Sequence, residues 1–195
     1  MAAARIPVYR EVSGEIDALK TPTLDVGCGN NKIPNAIGID LVPGTQADIV
    51  HDLNVFPWPL DDNQFEFVRL WSVIEHLRDL VAVVGEVYRV SMPGATVIIG
   101  VPHFSSVNAY TDPTHVHYFS SSFMDYFIEG TELSRSYGFY SHARFRLLER
   151  RVTLSSFWAA LRLTRFMNRR LSAYETYLSG IVRGADIQLK LTVVK

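Results

Sequence analysis

The residues of this sequence that could hold a ligand begin in the stretch TLDVGCGNNKIP. There an apolar run reaches Asp25 and then breaks into glycines. Gly27 and Gly29 fill the first two positions of the G-x-G-x-x-G turn that binds dinucleotides, but Lys32 stands in place of the third glycine. The phosphate-binding pattern G-x-x-x-x-G-K-[ST] does not occur in the sequence. Both phosphate-binding interpretations are therefore weak.

Acidic residues at the ends of successive apolar runs indicate a different ligand. Asp25, beside the glycine turn, would repel a pyrophosphate but suits a cationic ligand. Asp40 ends the next run, where a carboxylate can accept hydrogen bonds from both hydroxyls of a ribose. Asp52 follows the third run and can reach the edge of an adenine. The predicted ligand is a positively charged nucleoside without phosphate, a description that S-adenosylmethionine fits.

A second stretch with chemical potential is PHFSSVNAYTDPTHVHYFSSSFMDYF, which is long for a connection in a compact domain. Three interpretations stay open. A histidine, His103 or His115, could serve as a general base, since its pKa lies near neutral pH. His103, His115, His117 and Asp112 could bind a metal ion, but their spacing matches no closed metal motif, so we predict no metal site. Alternatively, DPTH is a turn that Asp112 caps and the histidines pack against it.

Alternating apolar runs and breaks supply the elements that must position these residues. A helix is predicted over 73–90, and strands are predicted over 23–26, 36–40, 47–53, 65–71, 96–101, 145–153 and 187–194. Strands separated by helices or loops predict a mostly parallel sheet. In such sheets, ligands bind beyond the carboxyl ends of the strands.

Composition limits the class of protein. The 195 residues suit one domain, and a net charge of −1 argues against a protein built mainly to coat nucleic acid. Cys28 is the only cysteine, so no internal disulfide can form and a cytoplasmic location is expected. The first twenty residues, MAAARIPVYREVSGEIDALK, lack the apolar core of a signal peptide, and no window of the sequence predicts a transmembrane helix.

Residues 156–182 have helical spacing. One stripe is formed by Phe157, Leu161, Met167, Leu171, Tyr174, Leu178 and Ile181, and most of Arg162, Arg165, Arg169 and Arg170 fall off it. We favour surface helices packed on the sheet. The alternative is a basic amphipathic surface for peripheral contact with a membrane or an anionic partner.

Six stretches, in order, resemble the successive motifs of class I S-adenosylmethionine-dependent methyltransferases, and particularly the small type-11-like bacterial group. They are LDVGCGNNK, GIDLVP, HDLN, FPWPLDDNQFEFV, SVIEHL and EVYRVSMPGATVIIGVPH, and the ending IQLKLTVVK is also similar. The resemblance implies an α/β, Rossmann-like doubly wound fold. Its mostly parallel seven-stranded sheet would have helices on both faces and an antiparallel last strand. It also implies one domain over 1–195, with a substrate-side lid over 103–127 and a helical insertion over 156–184.

The resemblance further implies two groups of site residues. The cofactor group comprises Asp25, Gly27, Cys28, Gly29, Asn30, Asp40, Leu41, Asp52, Leu53, Trp71, Ser72 and His76. Within it, Asp40 would hold the ribose and Asp52 would flank the adenine. The acceptor group comprises His103, Phe104, Asp112, His115 and His117. His103 and His115 are the catalytic candidates.

The expected reaction moves a methyl group from S-adenosylmethionine to an oxygen or nitrogen of a small-molecule or glycan-like acceptor, with S-adenosylhomocysteine as product. The loop departs from the common pattern, reading G-C-G-N-N, and only a short stretch joins it to Asp40. A cofactor-binding partner module without methyl transfer is therefore one alternative. A nucleic-acid or protein methyltransferase is another, although the near-neutral charge counts against it. The acceptor and the oligomeric state stay open.

Overall fold

Seven strands form one sheet in the computed structural model, which describes residues 21–195. The strands are β1 Thr23–Val26, β2 Ile37–Asp40, β3 Ile49–Val50, β4 Phe65–Trp71, β5 Ser91–Pro102, β6 Phe145–Leu154 and β7 Gly184–Val193. Their order in the sheet is β3-β2-β1-β4-β5-β7-β6. The predictions about signal peptide and chain start concern residues 1–20 and lie outside the described residues.

The central strands are parallel and buried. β1 pairs with β2 and β4, and β4 pairs with β5, all in parallel. The β-branched residues Val68 of β4 and Val97 of β5 are fully buried, as expected of a strand covered on both faces. β7 runs antiparallel between β5 and β6. The predicted fold class, with its antiparallel last strand, is confirmed.

The predicted helix over 73–90 is divided. A single 3-10 turn spans Ile74–His76, and helix α1 begins only at Leu80 and ends at Val90. The side chain of Asp79 accepts a hydrogen bond from the backbone N–H of Ala82, so Asp79 caps a new helix and ends the turn before it. The connection from β1 to β2 contains no helix, whereas the short spacing between Gly29 and Asp40 predicts a truncated or irregular one.

The segment after β5 is mostly turns. It contains the short helices α2 Asn108–Thr111 and α3 Glu132–Tyr137 and a 3-10 turn at Gly138–Tyr140. His103 and Phe119 form an isolated bridge that closes the loop between them. Residues 103–119 thus fold back on the end of β5 near the carboxyl edge of the sheet.

Residues 156–182 do not form one continuous helical stripe. They form three short helices, α4 Ser156–Ala160, α5 Thr164–Asn168 and α6 Leu171–Tyr177. Met167 and Tyr174 pack in the core, whereas Phe157 and Ile181 are exposed. Because the helix is interrupted twice, the apolar residues of this segment do not share one face. A pattern based on a single helix cannot predict this. Across the described chain, none of the helices is long and apolar enough to span a membrane.

Candidate active site

The glycine turn lies where β1 ends, beside the carboxyl ends of β2 and β4. Gly27 has φ +65°, and a Cβ there would lie 2.3 Å from Cγ2 of Val73, so the turn after β4 packs directly against it. Gly29 has φ +49°, and a Cβ there would meet no atom within 4 Å. Gly27 is thus required for packing, whereas Gly29 adjoins open space that a ligand could occupy.

Asp25 is held inside the protein and does not face a ligand. Its carboxylate accepts hydrogen bonds from Nε and Nη2 of Arg69, at 2.8 and 2.5 Å, and from the backbone N–H of Ile33, at 2.8 Å. Burial raises the pKa of the Asp25 carboxyl, and the Arg69 guanidinium opposes that shift. The expectation that this carboxylate attracts a cationic ligand is wrong, because Arg69 neutralises it. Asp25 instead orders the loop.

Asp40 connects the glycine turn to the end of β2. One carboxylate oxygen accepts the N–H of Gly29 at 2.8 Å, and the other accepts the N–H of Val42 at 3.0 Å. Asp40 is half-buried, and each oxygen retains a second lone pair that a ribose hydroxyl could use. Because Gly29 beside it leaves open space, these residues fit the nucleoside part of S-adenosylmethionine.

The remaining members of the predicted cofactor group surround this edge. Asp52 is half-buried, and the N–H and side-chain amide of Asn54 lower the pKa of its carboxyl. Leu53 is buried, whereas Asn30 and Leu41 are exposed. At this edge of the sheet, Leu53 is thus buried and Asp52 remains partly accessible.

Lys32, which replaces the third glycine of a dinucleotide turn, forms an ion pair with Asp48 of the same chain. Its Nζ donates to both carboxylate oxygens of Asp48, at 2.8 and 2.9 Å. Asp48 also accepts the N–H of Gly38. The lysine therefore fixes the loop to β2 and is not presented as a free phosphate contact.

Cys28 packs inside the loop. Its side chain is buried, and a Cβ on Gly38 would lie 2.7 Å from its Sγ. Burial raises the pKa of the thiol to about 11, with the charge of Asp25 adding to that shift. The thiol is therefore protonated at neutral pH, and a packing role fits better than a nucleophilic one.

The end of β4 presents a strained residue to the same edge. Ser72 is exposed and has φ +51°, in the left-handed region that favours glycine. Its N–H donates to the carbonyl of Gly100 at 2.9 Å, and the ring of Trp71 lies so close to Gly100 that a Cβ there would be 2.5 Å away. Such backbone strain is common at ligand sites.

The turn after β4 also carries the contact with the acceptor segment. The carbonyl of Glu75 accepts the N–H groups of Val116 and His117, at 2.8 and 3.3 Å. The rings of His76 and His115 meet edge to face, with their centroids 4.7 Å apart. The motifs SVIEHL and DPTHVH, distant in sequence, therefore form one surface.

The side chain of Glu75 is buried where these two segments meet. It is 1% exposed, and among the described residues neither carboxylate oxygen has a hydrogen-bond partner. Burial raises the pKa of this carboxyl to about 7. Glu75 was not predicted from the sequence to be a site residue. The signal that could have marked Glu75 in the sequence is an acidic residue directly between Ile74 and His76.

The two catalytic candidates differ in their surroundings. His103 is fully buried, its Nδ1 accepts from the N–H of Ser105, and its Nε2 lies 3.1 Å from Oε1 of Glu175. His115 is half-buried, and its Nδ1 donates to the carbonyl of Ala109 at 2.8 Å. Both ring nitrogens of His103 are thus held by protein contacts, whereas His115 is held through its Nδ1.

The other acceptor-side residues take separate positions. Asp112 accepts the N–H and the hydroxyl of Thr114, which is the predicted turn. Phe104 is half-buried against His103, with 4.4 Å between the ring centroids. His117 is half-buried near Phe119, and its Nε2 lacks a hydrogen-bond partner within the described chain. Of the four residues weighed as metal ligands, His115 lies in the group with Glu75 and His76.

Arg69 and Glu175 were not singled out from the sequence. Arg69 interrupts the apolar strand FEFVRLW, and a charge in a buried strand is a signal for a buried partner. Glu175 lies more than seventy positions from His103, and no pattern in the sequence joins the two.

The comparisons with known proteins agree with this geometry. Residues 24–99 match the family described as a methyltransferase domain. Among curated proteins, none matches the chain significantly.

Solved structures share the fold over nearly the whole chain. A SAM-dependent methyltransferase from Archaeoglobus fulgidus is 16% identical, with a TM-score of 0.57, and the match covers 97% of this chain and 95% of that one. A putative methyltransferase from Bacillus halodurans C-125 is 17% identical, with a TM-score of 0.55 and coverages of 94% and 97%. Phosphoethanolamine N-methyltransferase 2 from Haemonchus contortus, in complex with S-adenosyl-L-methionine, is 14% identical, with a TM-score of 0.57 and coverages of 94% and 52%.

The family match and the shared fold confirm the resemblance to class I S-adenosylmethionine-dependent methyltransferases. The matched residues run from β1 through most of β5 and include the glycine turn and the strand ends described above. S-adenosylmethionine is the cofactor that these findings support.

Proposed function

We propose that this protein transfers a methyl group from S-adenosylmethionine to a small-molecule acceptor bound beside residues 103–119. The observation that carries the proposal is the pairing of Asp40 with the N–H of Gly29 at the edge where Gly29 leaves open space. That arrangement holds a carboxylate next to open space that a nucleoside could occupy. S-adenosylmethionine, when bound, supplies a methyl group already activated on a sulfonium sulfur.

Because the methyl group is already activated, the chain's residues mainly align the acceptor. Holding two reacting groups at near-attack distance can contribute roughly 7–11 kcal/mol in favourable cases. Asp25 supports this alignment through loop order, since its charge is neutralised by Arg69. A free carboxylate at the sulfonium would stabilise the ground state and slow the reaction, so its removal into an ion pair is favourable.

We propose that the acceptor lies beside His115. His103 is fully buried between Ser105 and Glu175, so an acceptor cannot reach its ring without moving them. His115 is half-buried on the surface that joins the turn after β4 to the acceptor segment.

Calorimetry with S-adenosylhomocysteine tests the cofactor half of the proposal. The wild type should bind, and Asp40→Ala should bind at least about tenfold more weakly, because it loses a ribose contact and the link to Gly29. Asp61→Ala, an exposed acid in the loop before β4, is the matched control and should bind as the wild type does. Absence of wild-type binding, or equal binding by Asp40→Ala, would refute the assignment.

Transfer itself is tested with S-adenosylmethionine that carries a labelled methyl group. Cell extract is incubated with the protein and separated into small-molecule, lipid and macromolecular fractions. The proposal expects label in the small-molecule fraction, dependent on Asp40. Label confined to nucleic acid or protein would replace it with the macromolecular alternative, and cofactor binding without any transferred label would favour a partner module.

A further inference from the structure

A buried carboxylate and two imidazoles meet where the turn after β4 contacts the acceptor segment. Ligand atoms of Glu75, His76 and His115 all lie within 4.8 Å of one another. Both carboxylate oxygens of Glu75 are buried, and within the described chain neither has a hydrogen-bond partner. A buried carboxylate normally gains an ion pair, hydrogen bonds or a metal ion, because burial without one is costly.

The proton positions on both imidazoles follow from their neighbours. Nδ1 of His115 lies 2.8 Å from the carbonyl of Ala109, which only accepts, so Nδ1 carries a proton. Nδ1 of His76 lies 2.8 Å from Oγ1 of Thr114, whose own hydrogen is donated to Asp112. The His76 Nδ1 therefore also donates.

With both Nδ1 atoms protonated, each neutral ring has its lone pair on Nε2. This is the state in which histidines bind metals in proteins, with the second nitrogen donating to a carbonyl or a similar acceptor. Thr114 and Ala109 thus act as orienting partners of the two rings. One ligand atom from each imidazole and one from the Glu75 carboxylate lie within 4.8 Å of one another, close enough for a single ion to bind all three.

The donor set selects a class of ion. Two imidazoles and one carboxylate suit zinc, iron or cobalt, whereas magnesium and calcium prefer oxygen ligands. Ligands bound to one zinc ion lie about 2.0–2.2 Å from it, so the three side chains would move closer together when they bind an ion. The charges of Asp112 and Asp186 also act on Glu75 and favour a cation there.

We propose that Glu75, His76 and His115 bind one divalent transition-metal ion of the class that includes zinc, iron(II) and cobalt(II). Three protein ligands leave at least one coordination position open. Glu75 and His76 belong to the turn after β4 and His115 to the acceptor segment, so the ion would lie where these two segments meet. If the proposed methyl transfer holds, on which this part rests, the acceptor is a molecule with an oxygen or nitrogen that can coordinate the ion.

The proposal is tested on the full, untagged chain after chelation and dialysis. Cobalt(II) is titrated in, and its visible absorption bands report coordination by nitrogen and oxygen ligands. Metal content after dialysis against zinc is measured by mass spectrometry. The wild type should hold one ion per chain, and Glu75→Gln and His115→Asn should each lower the affinity at least about tenfold.

Matched variants separate a metal site from adventitious binding. His142→Asn removes an exposed histidine remote in sequence from the three ligands and should bind cobalt as the wild type does. Thr114→Val retains all three ligands but removes the acceptor for His76 Nδ1, and it should weaken binding by about tenfold. Should Glu75→Gln fail to fold, the half-buried His76→Asn supplies the same test.

Calorimetry with S-adenosylhomocysteine on the same preparations keeps the two proposals distinguishable. Metal-site variants that lose cobalt but still bind S-adenosylhomocysteine would support the metal site. Substoichiometric cobalt binding by the wild type, or equal binding by Glu75→Gln and His142→Asn, would overturn the metal site even if S-adenosylhomocysteine binds. Stoichiometric cobalt without S-adenosylhomocysteine binding would support the metal site and refute the proposed methyl transfer.

Discussion

Asp25 and Arg69 lie directly opposite each other on the adjacent parallel strands β1 and β4, where they form a buried two-point ion pair. The same guanidinium donates to the carbonyl of Asn31 at 2.8 Å, and Asp25 also accepts the N–H of Ile33. One pair of side chains therefore ties two central strands to the loop that follows β1. The loop's shape depends on a charge pair inside the sheet.

Breaking that pair should be strongly destabilising. Asp25→Ala leaves the Arg69 guanidinium buried without its carboxylate, and we expect a loss of about 3–5 kcal/mol in the free energy of unfolding, measured with urea. Asp62→Ala, which breaks the exposed pair with Arg89, is the control and should cost less than about 1 kcal/mol. Similar costs for the two variants would show that the buried pair is not a structural requirement.

The two glycines of the turn should respond differently to alanine. Gly27→Ala combines a left-handed backbone with a clash against Val73, so we expect a large loss of stability that Val73→Ala partly restores. Gly29→Ala meets no protein atom and should cost only about 1–2 kcal/mol for its positive φ. Because its methyl group enters the open space beside Asp40, Gly29→Ala should nevertheless weaken S-adenosylhomocysteine binding. Urea unfolding and calorimetry measure the two effects, and unchanged affinity would place the cofactor elsewhere.

The sequence predicts the fold best where local pattern and tertiary role agree. β1 and β4 were predicted with the bounds that the structure has, because a buried parallel strand is a short, continuous apolar run. The ends of the sheet were predicted less well. Strand β3 contains two residues in place of the seven predicted, since most of 47–53 is polar loop.

The site was predicted in part for a similar reason. Residues at strand ends, such as Asp40, can be placed by topology alone. Side-chain contacts between residues that are distant in sequence cannot be predicted in this way, because they depend on how the whole chain folds. Asn168, for example, accepts a hydrogen bond from the N–H of Val152 on the edge strand β6 and donates one to its carbonyl, and this contact holds α5 against that strand.

Cys28 should be nearly inert in the native protein. Burial raises the pKa of its thiol to about 11, so the reactive thiolate is scarce below that pH, and the side chain is 4% exposed. We expect alkylation by iodoacetamide at pH 8 to be far slower in the native chain than in urea. The single cysteine makes the mass shift unambiguous. Equal rates in the two states would show that the loop opens readily.

Substitutions of the two catalytic candidates, His103 and His115, should have different effects: one on stability and the other on methyl transfer. Nε2 of His103 lies 3.1 Å from the carboxylate of Glu175, and Oγ of Ser105 lies 2.8 Å from its Nδ1. His103→Asn should therefore lower the free energy of unfolding by about 1–3 kcal/mol, because it leaves buried polar partners unpaired. His115→Asn should leave stability within about 1 kcal/mol of the wild type and reduce methyl transfer.

The contact between β7 and His103 offers an independent check of the same assignment. A Cβ on Gly184 would lie 2.6 Å from Nδ1 of His103, so the ring fills the space that this glycine leaves. Gly184→Ala should overpack the site and cost about 1–3 kcal/mol, in the same range as His103→Asn. The Gly184→Ala and His103→Asn double variant should cost less than the sum of the two single variants, because the smaller asparagine makes room for the methyl group. A His103→Asn variant with wild-type stability and no methyl transfer would instead return His103 to the catalytic role.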